Sequence, residues 1–393
     1  MNGILLGILA LVGADVHLGD GEVIKGAKVL IDGEKITAVG RQVTIPAGAM
    51  VIDVSGKVLT AGFIDPASTL GLVEISGVAA SNDANAGGDP IRAAQRAVDS
   101  YNPHSAVIPI QRAHGVTTVL TAHHGGLIGG QAAVYDLADA EPILAPAGVT
   151  AGLGGRHSGA RGRSVVKLRE VLDDARTYAR RKSDFERNRA RSFAASRLDL
   201  EALQPVLAGT IPLFVSVNRR SDIRTTLALA GEFGVRVVIV GGAEAWQEAA
   251  ALAAAKVPVI IDPVANQPAH FDALHTRGDA AVRLTKAGVT VAFSTFSAHS
   301  VRKLRQWAGN AVRAGLSKGD ALAAVTRNPA KILGLPNRGR VAVGGIADLV
   351  VWSGDPFELS TRVEALYIRG RTVSLEHRQR TLFERYRTVP IRR

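Results

Sequence analysis

The 393 residues allow one large domain and a smaller one. With 47% hydrophobic and 21% charged residues, the composition excludes a disordered chain. Only 5% are aromatic, so the core must be mostly aliphatic. There is no cysteine, which excludes disulfides and thiolate metal sites, and the net charge of +12 is concentrated in two stretches.

Residues 156–197 hold thirteen Lys/Arg against five Asp/Glu, and residues 362–393 hold nine against three. The remaining 25 basic and 27 acidic residues nearly cancel. A localised basic surface of this kind suits a docking role.

At the start, Gly3–Gly13 is apolar but shorter than the roughly 20 residues of a membrane span. It reads as the lead-in to a first strand at Ala14–Leu18, which places the protein in the cytoplasm. If it is instead an export signal ending at Ala14, the location is periplasmic or secreted, although no basic residue precedes the apolar run. Val29–Ile31 and Ile36–Val39 form a hairpin through Asp32-Gly33. Val51–Val54 and Lys57–Thr60 continue what reads as a small antiparallel sheet.

From Gly62 the pattern changes to strand, loop and helix in alternation. Candidate strands are Gly115–Leu120, Ala132–Leu137, Leu213–Val217, Val235–Val240, Val257–Ile261 and Val289–Phe293. Several are continuous apolar runs, as expected for strands buried on both faces. Between them, Asp222 is placed as the cap of a helix over Ile223–Phe233 that Gly234 ends, and Glu244–Ala255 is Ala-rich and helical. Ser317 with Asp320 makes a capping box, and Asn328-Pro329 starts a short helix that Gly334 stops. Residues 156–197 fit one long helix whose apolar stripe is Leu168, Val171, Ala175, Tyr178 and Phe185. Without a recognition motif or interleaved aromatics, that helix does not read as a nucleic-acid binder. Strands return at Ala347–Trp352, Val363–Arg369 and Arg371–Val373, so the two chain ends are expected to pair around an inserted barrel.

Two segments carry a family resemblance. Ile52-Asp53-Val54-Ser55-Gly56-Lys57-Val58-Leu59-Thr60-Ala61-Gly62-Phe63-Ile64-Asp65 resembles the start of the barrel in the amidohydrolase superfamily. Ala321–Leu335, then Gly339-x-Val341-x-Val343-Gly344 and Ala347-Asp348-Leu349-Val350-Val351-Trp352, resemble its end, with the imidazolonepropionase-related branch most alike. The resemblance covers nearly the whole chain. It implies an α/β fold: a distorted TIM (β/α)8 barrel over 61–336, and a small β-sandwich composed of residues 1–60 and 337–393.

It also implies hydrolysis of C–N bonds with one or two zinc ions, because coordination lowers the pKa of water from about 15.7 to roughly 7. The ligands of such a site belong at the C-terminal ends of the barrel strands. Aligned residue by residue, the first strand's His-x-His falls on Ala67 and Thr69. The fourth strand has no Lys or Glu candidate in Pro142–Gly155. Strand five offers Ser216 and strand six Gly241 in place of histidines, and strand eight offers Phe296 in place of the metal-binding aspartate. No metal is therefore expected, and zinc would be the cofactor only of a rearranged site.

Asp65 aligns with a family aspartate and, without a metal, is expected chiefly to bond loop amides; it and Glu74 remain as acid/base candidates. Asn218, Arg219, Glu244, Asp262, Thr295, His124 and His299 are candidates to line the mouth, with His124 and His299 the better placed histidines for a rearranged site. Adjacent His123 and His124 point to opposite faces of a strand, and His270 and His275 do not share a helix face. His157 is isolated. Gly125–Gly130 lacks the lysine and serine of a phosphate loop, and no Gly-x-Ser-x-Gly elbow occurs. The first expectation is thus a non-catalytic subunit that binds a small ligand or stabilises a partner, as a homo-oligomer or paired with an active paralogue. A hydrolase with a rearranged site is the alternative.

Overall fold

In the computed structural model, residues 7–85, 88–155, 160–189 and 191–388 are described. Five strands open the chain: β1 (Leu9–His17), β2 (Val23–Asp32), β3 (Lys35–Gly40), β4 (Met50–Asp53) and β5 (Val58–Ala61). Three close it: β14 (Leu349–Trp352), β15 (Val363–Ile368) and β16 (Arg371–Thr372). They form one eight-stranded sheet in which β14 pairs with β5, so the two chain ends meet in one hydrogen-bonded layer. The hydrogen bonding describes that sheet and does not by itself define a two-layered sandwich.

The sheet is mixed, which corrects the antiparallel expectation. β1 runs antiparallel to β2 but parallel to β4 and β5. The end of the apolar lead-in, from Leu9 to Gly13, is itself part of β1, with Leu9, Ala10 and Leu11 buried. Met1–Leu6 lie outside the described residues.

The second eight-stranded sheet contains β6 (Phe63–Ser68), β7 (Val116–Thr121), β8 (Ile128–Asp136), β9 (Pro142–Gly152), β10 (Leu213–Val217), β11 (Val237–Gly241), β12 (Val259–Ile261) and β13 (Val291–Phe293), in sequence order. Neighbours are parallel except at β7–β8 and β8–β9, so β8 alone is reversed. The short connections on either side of β8 have no room for a crossover helix, which forces those two pairings to be antiparallel.

The continuous apolar runs of the barrel strands are explained by burial on both faces. Ile64, Leu120, Phe214, Val238, Ile260 and Ala292 fill the barrel interior, which Ala330 and Leu333 also enter from the helix Arg327–Ile332. Their sequence neighbours Phe63, Val119, Val215, Ile239, Val259 and Val291 pack outward against the helices. At the junction with the end sheet, Trp352 is fully buried, donates its indole N–H to Thr60 Oγ1 at 2.9 Å and packs on Phe63.

Local signals mostly hold. Ser317 Oγ accepts from the Asp320 amide as the capping box requires, and Gly234 ends its helix at φ +60. That helix starts earlier than expected, at Arg220 with Arg219 as its cap residue, because Asp222 is drawn off to pair with Arg161. The basic segment is not one helix. It comprises Arg161–Arg180, a short turn of helix at Lys182–Glu186 and a loop before Arg197–Ala202. The break follows from side-chain competition: buried Asp174 accepts from Arg191 and from the Ala194 amide at 2.7 Å, folding the chain back. The stripe is as expected, with Leu168, Val171, Ala175 and Tyr178 buried and Phe185 edge-on to Tyr178. The helix Arg378–Tyr386, with no buried residue, has no counterpart in the sequence reading.

Candidate functional site at the barrel mouth

The C-terminal ends of seven barrel strands and the start of reversed β8 surround a cavity of about 750 Å³, within the usual range for small-molecule sites. Ala67, Thr69, Ser216, Gly241 and Phe296 all line it. Five positions picked by alignment from the ends of four strands therefore converge on one volume. Zinc requires imidazole, thiolate or carboxylate donors at about 2.0–2.3 Å. A methyl, two hydroxyls, a bare Cα and a phenyl ring do not supply them, so these five residues do not fit a zinc ion.

Backbone geometry reinforces this at two of the five. Gly241 has φ +91, and a Cβ there would stand 2.7 Å from Asn218 Oδ1. That oxygen accepts from the Ala243 amide at 3.2 Å, so it is not free to swing away. Phe296 adopts φ +50, a left-handed conformation uncommon for a bulky side chain. It is 37% exposed, with its amide donating to Ser294 Oγ at 3.1 Å.

Asp65 does not line the cavity. It is fully buried between β6 and β13 and accepts from the Ala67 amide (3.1 Å), the Ser294 hydroxyl (2.5 Å) and both the amide (3.2 Å) and hydroxyl (3.1 Å) of Thr295. Burial pushes its carboxyl above the usual range, and these donors pull it back. Thr295 is thereby a structural partner of Asp65 and not a lining residue.

Glu74 is likewise engaged below the mouth, accepting from Ser105 Oγ at 2.5 Å and the Ala106 amide at 2.9 Å. Glu244 is buried and joins two mouth loops, accepting from the Arg220 amide at 2.8 Å and the His275 amide at 3.2 Å. Arg219 is exposed at its helix cap, and the His299 amide donates to Ser297 Oγ at 3.2 Å.

Of the remaining expectations, Asn218, Asp262 and His124 do line the cavity. Asp262 accepts from the Val264 amide at 2.9 Å, and burial pushes its carboxyl up. Three lining residues were passed over as ordinary: His123, His270 and Arg277. His123 is buried with Nε2 3.2 Å from Ser100 Oγ, and burial, then the Arg92 guanidinium, hold its imidazole below its usual range. Arg277 stacks 4.7 Å above the Trp246 ring and pairs with Asp279. His123 lies two residues past β7, a position at the C-terminal end of a barrel strand that could have flagged it. His270 and Arg277 sit on a long loop whose path no spacing rule predicts. His157 lies outside the described residues. Among the described residues, no three His, Asp or Glu side chains cluster as a metal-binding group.

Arg161, in the basic segment, reaches the loop after β12. Its guanidinium pairs with Asp222 at 3.0 Å and also with Asp272, which accepts from the Gly155 amide at 3.2 Å. Asp272 belongs to the loop after β12 that supplies His270 and Ala273 to the cavity.

A family model described as the Amidohydrolase family matches residues 221–373. A curated relative, amidohydrolase tasK of Hapsidospora irregularis, is 28% identical over 82% of this chain, which spans only 38% of that protein's length. A crystal structure of an amidohydrolase from Thermotoga maritima MSB8 is 29% identical with a TM-score of 0.85, covering 93% of this chain and 99% of that one. A prolidase solved with N-methylphosphonate-L-proline shares the fold at 18% identity, TM-score 0.59, over 93% of this chain and 99% of its own. No helix among the described residues is long and apolar enough to cross a membrane. Residues 221–373 thus match the amidohydrolase family model, and the chain as a whole is similar in fold to the Thermotoga maritima amidohydrolase.

Proposed function

We propose that this chain is an amidohydrolase-fold protein whose mouth binds a small molecule without the metal-hydrolase chemistry. The convergence of Ala67, Thr69, Ser216, Gly241 and Phe296 on one cavity carries the reading, because none of the five brings a zinc donor to it. Asp65, which aligns with a family aspartate at the end of the first barrel strand, is committed to holding β6 to β13. In this reading residues 1–60 with 337–393 form the composite end domain, in the sandwich form that the imidazolonepropionase-related branch implies. The inserted barrel spans 61–336. Pairing with an active paralogue through the basic segment gives the protein a role without turnover of its own.

The test is turnover across a panel of acyl-amino acids, dipeptides and cyclic amides, with and without added zinc. The reading requires no hydrolysis above the rate without protein. A turnover that survives purification and vanishes on a mouth substitution such as His124→Gln would overturn it.

A second reading is a C–N bond hydrolase with a rearranged site, favoured because the relatives at 28% and 29% identity are named amidohydrolases. His123, His124, His270 and Asp262 are the mouth residues able to move protons in that case.

A further inference from the structure

Phe296 is unusual in three ways at once. It holds a φ of +50, it is partly exposed, and it lines the cavity at the position that the sequence resemblance aligns with a metal-binding aspartate. A strained conformation of this kind persists only when its surroundings impose it. Ser294 is part of what imposes it, because its Oγ accepts from the Phe296 amide while its hydroxyl serves Asp65.

The cavity below is apolar where it enters the barrel. Leu120, Phe214 and Val240 line it and belong to, or pack against, the interior cluster. On the loop after β12, Phe271 is 86% exposed and Leu274 is also exposed, beside lining residues His270 and Ala273. Polar groups share the lining, including Ser216, Asn218 and Thr69. An apolar wall, an exposed ring held above it and a few hydrogen-bonding groups form the usual recipe of a selective small-molecule pocket.

We infer that Phe296 is a specificity-determining residue, packing against an apolar, ring-sized substituent of a ligand whose polar end meets Ser216 and Asn218. This rests on the reading of the mouth as a binding site. Aromatic contact at Phe296, together with burial along Leu120, Phe214 and Val240, then selects an amphiphilic ligand over a wholly polar one of the same head group.

The test uses the full chain with phenylacetamide and acetamide as probes, followed by titration calorimetry and ligand-observed NMR, with zinc measured on the same samples. Phenylacetamide should bind at least about tenfold more tightly than acetamide. Phe296→Asn, which suits a left-handed backbone, should lower phenylacetamide affinity about fivefold while keeping or raising the melting temperature. Phe296→Leu, which retains apolar bulk, should keep most of the preference. Equal affinities, binding of neither probe, or a preference untouched by Phe296→Asn would overturn the inference. So would loss of binding accompanied by a matching loss of stability, the mark of a structural role. Such failures in protein free of zinc leave the metal-less reading standing; stoichiometric zinc would undo that reading instead.

Discussion

The Ser294 hydroxyl donates to Asp65 Oδ1 at 2.5 Å, joining the strands β6 and β13 that stand at the two edges of the barrel sheet. Thr295 adds two more bonds to the same carboxylate. A residue that aligns with a family aspartate thus serves here as a barrel closure. Asp65→Ala leaves these donors buried without an acceptor, and a lost partner of this kind costs about 1–3 kcal/mol. Urea unfolding should show a loss of at least that size; an unchanged midpoint would contradict the closure role.

Restoring a family ligand at strand six should fail. In Gly241→His, the new Cβ meets Asn218 Oδ1 and the backbone must hold φ +91. Strain at such a position costs on the order of 1–3 kcal/mol. The expected outcome is a lower melting temperature with no gain in zinc content, and a stable variant that takes up zinc would refute it.

At the base of the barrel, Arg338 pairs with Asp136 at 2.8 Å and with Asp348, linking β8 to the end sheet. Asp348 is almost wholly buried, and burial, against the pull of Arg338 and with the push of Asp136, raises its carboxyl to about 6. The folded state therefore holds this proton more tightly than the unfolded chain does. Its contribution to stability is fully present below about pH 4 and is lost as pH rises through about 6. Asp348→Asn removes that decline, and its side-chain oxygen can still accept from the Arg369 amide. The variant should gain on the wild type by on the order of 2 kcal/mol between pH 4 and 7 in denaturant titrations. A constant difference across that range would contradict the assignment.

Arg161 ties the basic segment to the loop after β12 through Asp272. Arg161→Ala should speed amide exchange in residues 265–277 and 153–155, with little change in the barrel strands. The effect on global stability should stay within about 1 kcal/mol, because the arginine is partly exposed. Uniform exchange across the chain would mean the latch is not local.

Much of the barrel was legible because buried strands leave continuous apolar runs: Leu213–Val217 stands as read and five other strands differ only at their ends, whereas β6 and β9 were not read as such runs. Five mouth positions were legible because each lies at or within three residues of the C-terminal end of a strand, so alignment fixes where they face. Asp65 bonds loop amides as read, whereas Glu74, Glu244 and Thr295, read as mouth groups, bond elsewhere for a common reason. Acidic and hydroxyl side chains near strand ends can bond loop amides as readily as they can face a ligand, and only the fold decides. The break in the basic segment was illegible because it depends on Asp174 meeting the Ala194 amide twenty residues away in sequence. The parallel pairing of β1 with β4 and β5 was hidden for a similar reason, since register across long connections leaves no local signal.

Elemental analysis of the purified, unchelated protein tests the central claim most directly. A mouth built on Ala67, Thr69, Ser216, Gly241 and Phe296 predicts far less than stoichiometric zinc, and no uptake after dialysis against zinc and washing. One or more ions per chain, lost on substitution of His124 or Asp262 with the fold intact, would contradict it.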